Sequence, residues 1–276
     1  MGDLFRTVLL ATQCTEFDAG AERIGIALAA QCGIPLYAVL PLVSNTEYET
    51  FAPMLEDVAE VQAAAALQKL RETAAARGVD LIGHVRLGEE PYREIIAEAV
   101  ERSADLIVAR KRGKRGFLAH LLIGEMVHAL ARHAPCDVLL VAREASLWSR
   151  GILAATDGSP HGRRTTQVAA SIAAAFALPL TIVSVAQDND ADGRIATEYV
   201  DRAVSAARAA GASAAGQVLS GKPPEAILHA AEQAGVDLVV LGRRGLSAVK
   251  RVLLGGTSEW VASHTEAPVL IVRADD

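Results

Sequence analysis

Residues 241–261, LGRRGLSAVKRVLLGGTSEWV, combine glycines with basic and hydroxyl side chains directly after a strand-like run, VDLVVL. Gly242 and Gly245 lack a Cβ, so backbone there can approach a ligand closely. Nine residues beyond Gly245, Gly255 and Gly256 stand where a new helix should begin, with Thr257 and Ser258 behind them. The free N–H groups and dipole of a helix start attract anions, and nearby hydroxyls complete a cradle suited to phosphate. Arg243, Arg244, Lys250 and Arg251 add positive charge. A loop of solvated charges is the competing account. GxxG alone would not separate the two; GxxG, nine residues and GG-T-S after a buried strand favours the cradle.

Two further segments should meet that cradle, because ligands of open parallel sheets sit beyond the carboxyl ends of the strands, at the switch point. ATDGSP, residues 155–160, follows the first strand of this half. Its Asp157 could accept hydrogen bonds from a sugar hydroxyl or a base amine; an Asp-Gly turn with a helix N-cap at Ser159 explains the same residues without a ligand. Val185, at the end of the second strand, could border a base or belong to the core. His161 reads as an exposed early-helix residue.

The elements that must hold these residues in place occur twice. LFRTVLLATQ (4–13) matches SRGILAATD (149–157), and CGIPLYAVL (32–40) matches FALPLTIVS (176–184). SADLIVARKRG (103–113) matches GVDLVVLGRRG (235–245), and HAPCDVLLVAR (133–143) matches HTEAPVLIVRA (264–274). A period this long marks a duplicated unit. The offset falls along the chain, which places extra residues of the first copy around SNTEYETFAPMLED. Two domains follow, 1–145 and 146–276, with EASLWSR at the junction. In each, apolar Val/Ile/Leu runs alternate with alanine-rich amphipathic segments, the pattern of βαβ units. The expected fold is α/β: two repeated open five-stranded, mainly parallel sheets with helices on both faces, packed as a pseudo-two-fold pair. The terminal strands VLLVA and VLIVR lack a following helix and leave an edge for pairing.

Bulk composition narrows the function classes. Of 276 residues, 51% are hydrophobic and 22% charged, which suits a globular chain. A formal net charge of −6 argues against nucleic acid as the partner. The uncharged run 168–186 approaches membrane-spanning length, but Pro179 divides it into a helix-like and a strand-like half, so no membrane insertion is expected. Three cysteines share no ligand spacing and read as reduced thiols; with no leader-like opening, this suggests a cytoplasmic protein.

The order strand-TD-helix, then DLVVLG-RR-G-x9-G with hydroxyls, then APVLIV, resembles the universal stress protein family. The likeness runs through both halves, as in a tandem member. It implies a Rossmann-like nucleotide fold and ATP in the second half, with Mg²⁺ held through the phosphates. Ala155, Thr156, Asp157 and Val185 would surround the adenosine. Leu241, Gly242, Arg243 and Gly245 would follow the ribose-phosphate path, and Gly255, Gly256, Thr257 and Ser258 the phosphates. The family's Ser or Thr after the third glycine is Gly256 here, so one hydroxyl is missing.

The first copy departs further. Gln13 stands for Asp157, Pro41 for Val185, Arg110 falls close to the first motif glycine, and ten residues separate Gly113 from Gly124. Glu125 then places a carboxylate where phosphates would sit, and like charge repels them. A degenerate site follows, though its RKRGKR run could hold another anion or simply be solvated.

No Ser-His-Asp arrangement or carboxylate pair accompanies the cradle, so no catalytic residue and no protein metal ligand is assigned. The leading expectation is an ATP-binding regulatory switch with at most slow hydrolysis and an unidentified protein partner, acting as an intrachain pair or dimerising again. The alternatives are a nucleotide-independent scaffold, or an ATP-using enzyme of a related fold. That last class would carry an SGGxDS or HIGH-like motif, which this sequence lacks.

Overall fold

The computed structural model describes residues 4–44, 53–111, 124–186, 190–243 and 255–273. The chain divides into two compact units, Met1–Leu147 and Trp148–Asp276.

In the first unit, strands β1 (Val8–Ala11), β2 (Leu36–Val43), β3 (Leu81–Gly88), β4 (Leu106–Arg110) and β5 (Asp137–Val141) alternate with helices. These are α1 (Ala19–Cys32), α2 (Pro53–Ala75), α3 (Pro91–Glu101) and α4 (Gly124–His133). Every pairing within the unit is parallel, in the order β3-β2-β1-β4-β5. The second unit repeats the pattern with β6 (Ile152–Ala155), β7 (Pro179–Ala186), β8 (Ser213–Ser220), β9 (Leu238–Gly242) and β10 (Val269–Val272). Its helices are α5 (Pro160–Phe176), α6 (Asp190–Ala209), α7 (Pro223–Gln233) and α8 (Gly256–His264), and its order is β8-β7-β6-β9-β10.

Central strands are apolar on both faces because helices cover both. Val8, Leu9, Leu10, Leu106, Ile107 and Val108 are wholly buried, as are Ile152, Leu153, Leu238 and Val239. The run 168–186 resolves as expected: α5 ends at Phe176 and β7 starts at Pro179. Between them Ala177 takes the left-handed conformation, φ +52°, and its N–H reaches back to Ala173 and Ala174. Gly33 closes α1 the same way at φ +67°. Among the described residues no helix is long and apolar enough to cross a membrane.

An aspartate anchors the first strand of each unit. Asp105 accepts from the N–H groups of Arg6 and Thr7. Asp237 accepts from those of Ser149, Arg150 and Gly151. Burial alone would raise the Asp237 carboxyl, but these three donors and Arg150 hold it below its ordinary range.

Register sharpens the match between the copies. Val8 pairs with Leu36 and Ile152 with Leu180, so Pro41 and Val185 occupy the same place. Val8 also pairs with Leu106, and Ile152 with Leu238, which puts Arg110 at the position of Gly242 rather than merely near it. Likewise α4 opens at Gly124 and α8 at Gly256. Gly124 therefore matches the second glycine of the Gly255–Gly256 pair, and Glu125 matches Thr257. The extra residues of the first copy lie between β2 and β3, where α2 has 23 residues against 20 in α6.

Candidate functional site

β6 and β9 are neighbours, so their carboxyl ends lie side by side at the switch point of the second unit. Ala155 ends β6 and is half-buried. Thr156 is buried; its N–H donates to the Val183 carbonyl (2.9 Å) and its Oγ1 accepts from Gly158 N–H (3.2 Å). The half-buried Asp157 uses Oδ1 to accept from Ser159 N–H at 3.0 Å. Ser159 in turn caps α5, its Oγ accepting from Gly162 N–H at 2.9 Å. The turn and N-cap read from ATDGSP are thus present, and Asp157 takes part in the turn that follows β6.

Three residues shape this turn. Gly158 has φ +74°, and any Cβ there would run into the Tyr199 ring on α6. A Cβ on Gly162 would meet Asp157 Oδ1 at 2.6 Å and Thr156 Oγ1 at 2.7 Å. Gly158 was legible in the Asp-Gly turn; Gly162, inside α5, and Tyr199, 41 positions from Gly158, were passed over.

On the other side, Leu241 is 2% exposed with its side chain in the core, Gly242 ends β9, and Arg243 is 5% exposed. Arg243 N–H donates to the Val272 carbonyl (2.8 Å), and Gly255 N–H donates to the Arg243 carbonyl (2.9 Å). Segment 244–254, including Gly245, Lys250 and Arg251, lies outside the described residues, but this bond closes its stem. Gly255 is the N-cap of α8, whose first residue is the exposed Gly256. Thr257 is half-buried. The buried Ser258 donates its hydroxyl to the Gly242 carbonyl at 2.7 Å. The helix start is therefore moored directly to the end of β9. A Cβ on Gly256 would meet nothing within 4 Å among the described residues. Val185, near the end of β7, is half-buried rather than core. Among the described residues no cluster of three or more metal-ligating side chains occurs.

In the first unit the same switch point is furnished differently. Thr12 repeats Thr156, its N–H donating to Val39 and its Oγ1 accepting from Cys14 N–H. Cys14 takes the left-handed place of Gly158, at φ +54°. Arg110 extends from the end of β4 with Nε 3.4 Å from Asp18 Oδ1 and Nη2 donating to Gln13 Oε1 at 2.9 Å. A side chain thus occupies ground that Gly242 leaves clear. The segment 112–123, with Gly113 and most of RKRGKR, lies outside the described residues.

An open, parallel sheet covered by helices on both faces, with glycine-bearing strand ends and a helix start at its switch point, is a Rossmann-like α/β protein. The sequence profile of the Universal stress protein family matches residues 4–142 and again 149–273, and the chain belongs to that family, as a tandem member. A universal stress protein of Synechocystis is 28% identical over 176 residues, 64% of this chain and 60% of that protein. The chain thus matches less than two thirds of that relative's length. One from Thermus aquaticus is 34% identical over 133 residues, 44% of this chain and 97% of its own. The solved universal stress protein of Archaeoglobus fulgidus superposes with a TM-score of 0.79 across 99% of both chains at 22% identity, a likeness of fold.

Proposed function

We propose that this protein is an ATP-binding regulatory member of its family, with the nucleotide held in the second unit. One observation carries the reading: the Gly255–Arg243 and Ser258–Gly242 hydrogen bonds moor a helix start to the end of β9, the neighbour of the strand that leads into Asp157. Asp157 and Val185 would flank the adenosine. Gly242 and Gly245 would line the ribose-phosphate path. The N–H groups of Gly256, Thr257 and Ser258 would meet the phosphates, which would also hold Mg²⁺. Occupancy would shift the affinity for an unidentified protein partner, and hydrolysis would at most be slow.

The Ser258 hydroxyl bears on affinity. Its hydrogen is committed to Gly242, so it can offer a phosphate only an acceptor, and the backbone N–H groups must supply the donors. ATP would bind more weakly than where the family's hydroxyl follows the third glycine.

A nucleotide-independent scaffold is favoured by the internal bonds that Asp157 and Ser258 already make. Equilibrium dialysis of ligand-stripped protein with ATP and Mg²⁺ separates the two. Saturable binding at one ATP per chain, lost in Gly255→Glu and retained in Gly113→Glu, is expected. No binding at millimolar ATP would overturn the switch.

A further inference from the structure

The first unit has a cavity of about 200 Å³ at its own switch point. Pro41, Pro91, Ile95, Met126 and Val127 form apolar walls; Gln13, Asp18 and Arg110 border them. The volume is below the ~300–1,000 Å³ of pockets for drug-sized ligands and suits a single small ring system rather than a nucleoside triphosphate.

The side-chain acceptors of Asp18, Thr12 and the exposed Gln13 each already have a donor. Asp18 Oδ2 accepts from Thr15 N–H (3.0 Å) and from Thr15 Oγ1 (2.5 Å), and Oδ1 faces Arg110 Nε. Thr12 Oγ1 accepts from Cys14 N–H and gives its hydrogen to Glu22 at 2.7 Å. Gln13 Oε1 accepts from Arg110. Because a guanidinium only donates, this bond fixes which end of the Gln13 amide faces Arg110. The amide NH₂ is then turned away and has no protein acceptor among the described residues. Arg110 keeps N–H groups beyond the three nitrogen contacts it makes to Asp18, Thr15 and Gln13. Capacity left for a ligand is therefore donor capacity, the reverse of the second unit, where Asp157 accepts.

We propose that this cavity binds a small, flat, uncharged ligand bearing a ring carbonyl, the class of oxo-substituted heterocycles. The carbonyl accepts from the Gln13 amide while the ring lies between Pro41 and Ile95. Uncharged ligands suit the site because the 1%-exposed Asp18 carboxylate offsets Arg110 and would repel a second carboxylate. The proposal is independent of whether the second unit binds ATP.

Met126 lines this cavity, and the chain has only three methionines, so methyl-labelled methionine gives a readout confined to it. Full-length protein is titrated with hypoxanthine, adenine and benzoate, the Met126 signal being assigned with Met126→Leu. Hypoxanthine should move the Met126 methyl saturably, adenine, which presents an amine in place of the carbonyl, about tenfold more weakly. Gln13→Glu still accepts from Arg110 but loses both amide donors, and should weaken hypoxanthine about tenfold with an unchanged ligand-free spectrum. The proposal fails if hypoxanthine produces no saturable shift at several millimolar. It fails equally if adenine matches hypoxanthine, if benzoate binds more tightly, or if Gln13→Glu binds as the wild type does.

Discussion

Ser258 Oγ donates to the Gly242 carbonyl at 2.7 Å, so a hydroxyl in the first turn of α8 is tied to the end of β9. This buried bond joins residues 16 apart in the chain across the stem of segment 244–254.

Removing it should loosen the stem. Ser258→Ala leaves the Gly242 carbonyl without that donor and should lower stability by about 1 kcal/mol in urea denaturation. Gly256→Ser adds a hydroxyl where a new Cβ meets nothing within 4 Å. It should tighten ATP roughly fivefold, about 1 kcal/mol, by isothermal titration. An unchanged or weaker affinity would mean that the phosphates do not lie against α8.

Ala177 holds a left-handed conformation at the end of α5 that Gly33 holds without a Cβ at the end of α1. Ala177→Gly should therefore raise stability by about 0.5–1 kcal/mol, seen as a higher denaturation midpoint with unchanged slope. Gly33→Ala should lower it by a similar amount.

Glu98 is the acid-sensitive group of the first unit. Its side chain is 1% exposed, and it bonds Arg102, His84 and Arg86. Burial pushes its carboxyl up, yet those hydrogen bonds and the Arg86 charge hold it down to about 2 against an ordinary 4.5. A folded value below the unfolded one contributes stability above about pH 4.5, lost as pH falls toward 2. Glu98→Gln should cost about 2 kcal/mol at neutral pH, less than a fully buried pair because both arginines are a quarter exposed. Chemical denaturation at stepped pH should show the gap to wild type closing below pH 4.

Cys14 should be an unreactive thiol although it is only half-buried. Burial, and then the Glu22 charge, push it from 9.0 to about 11. Near pH 8 its thiolate fraction is roughly 100-fold smaller than that of an ordinary thiol, and iodoacetamide should label it correspondingly slowly. Glu22→Gln should speed labelling, since one opposing charge is gone.

The sequence determined what depends on near neighbours. Strands and helices follow from apolar periodicity, the duplication from matched segments, and the Ser159 cap and Asp157 turn from ATDGSP. The helix start at 255–256 was legible too, because glycines and hydroxyls after a buried strand specify it locally. Tertiary structure decided whatever depends on which strand lies beside which. Only register places Arg110 at the position of Gly242, since a strand's partner is not written in its own residues. Only packing brings Tyr199 against Gly158, commits Ser258 to Gly242 and turns the Gln13 amide donors away from Arg110. A hydroxyl or amide can serve a ligand or the fold equally well by its type. Its partners across the sheet decide which, and those come from segments far away in the chain.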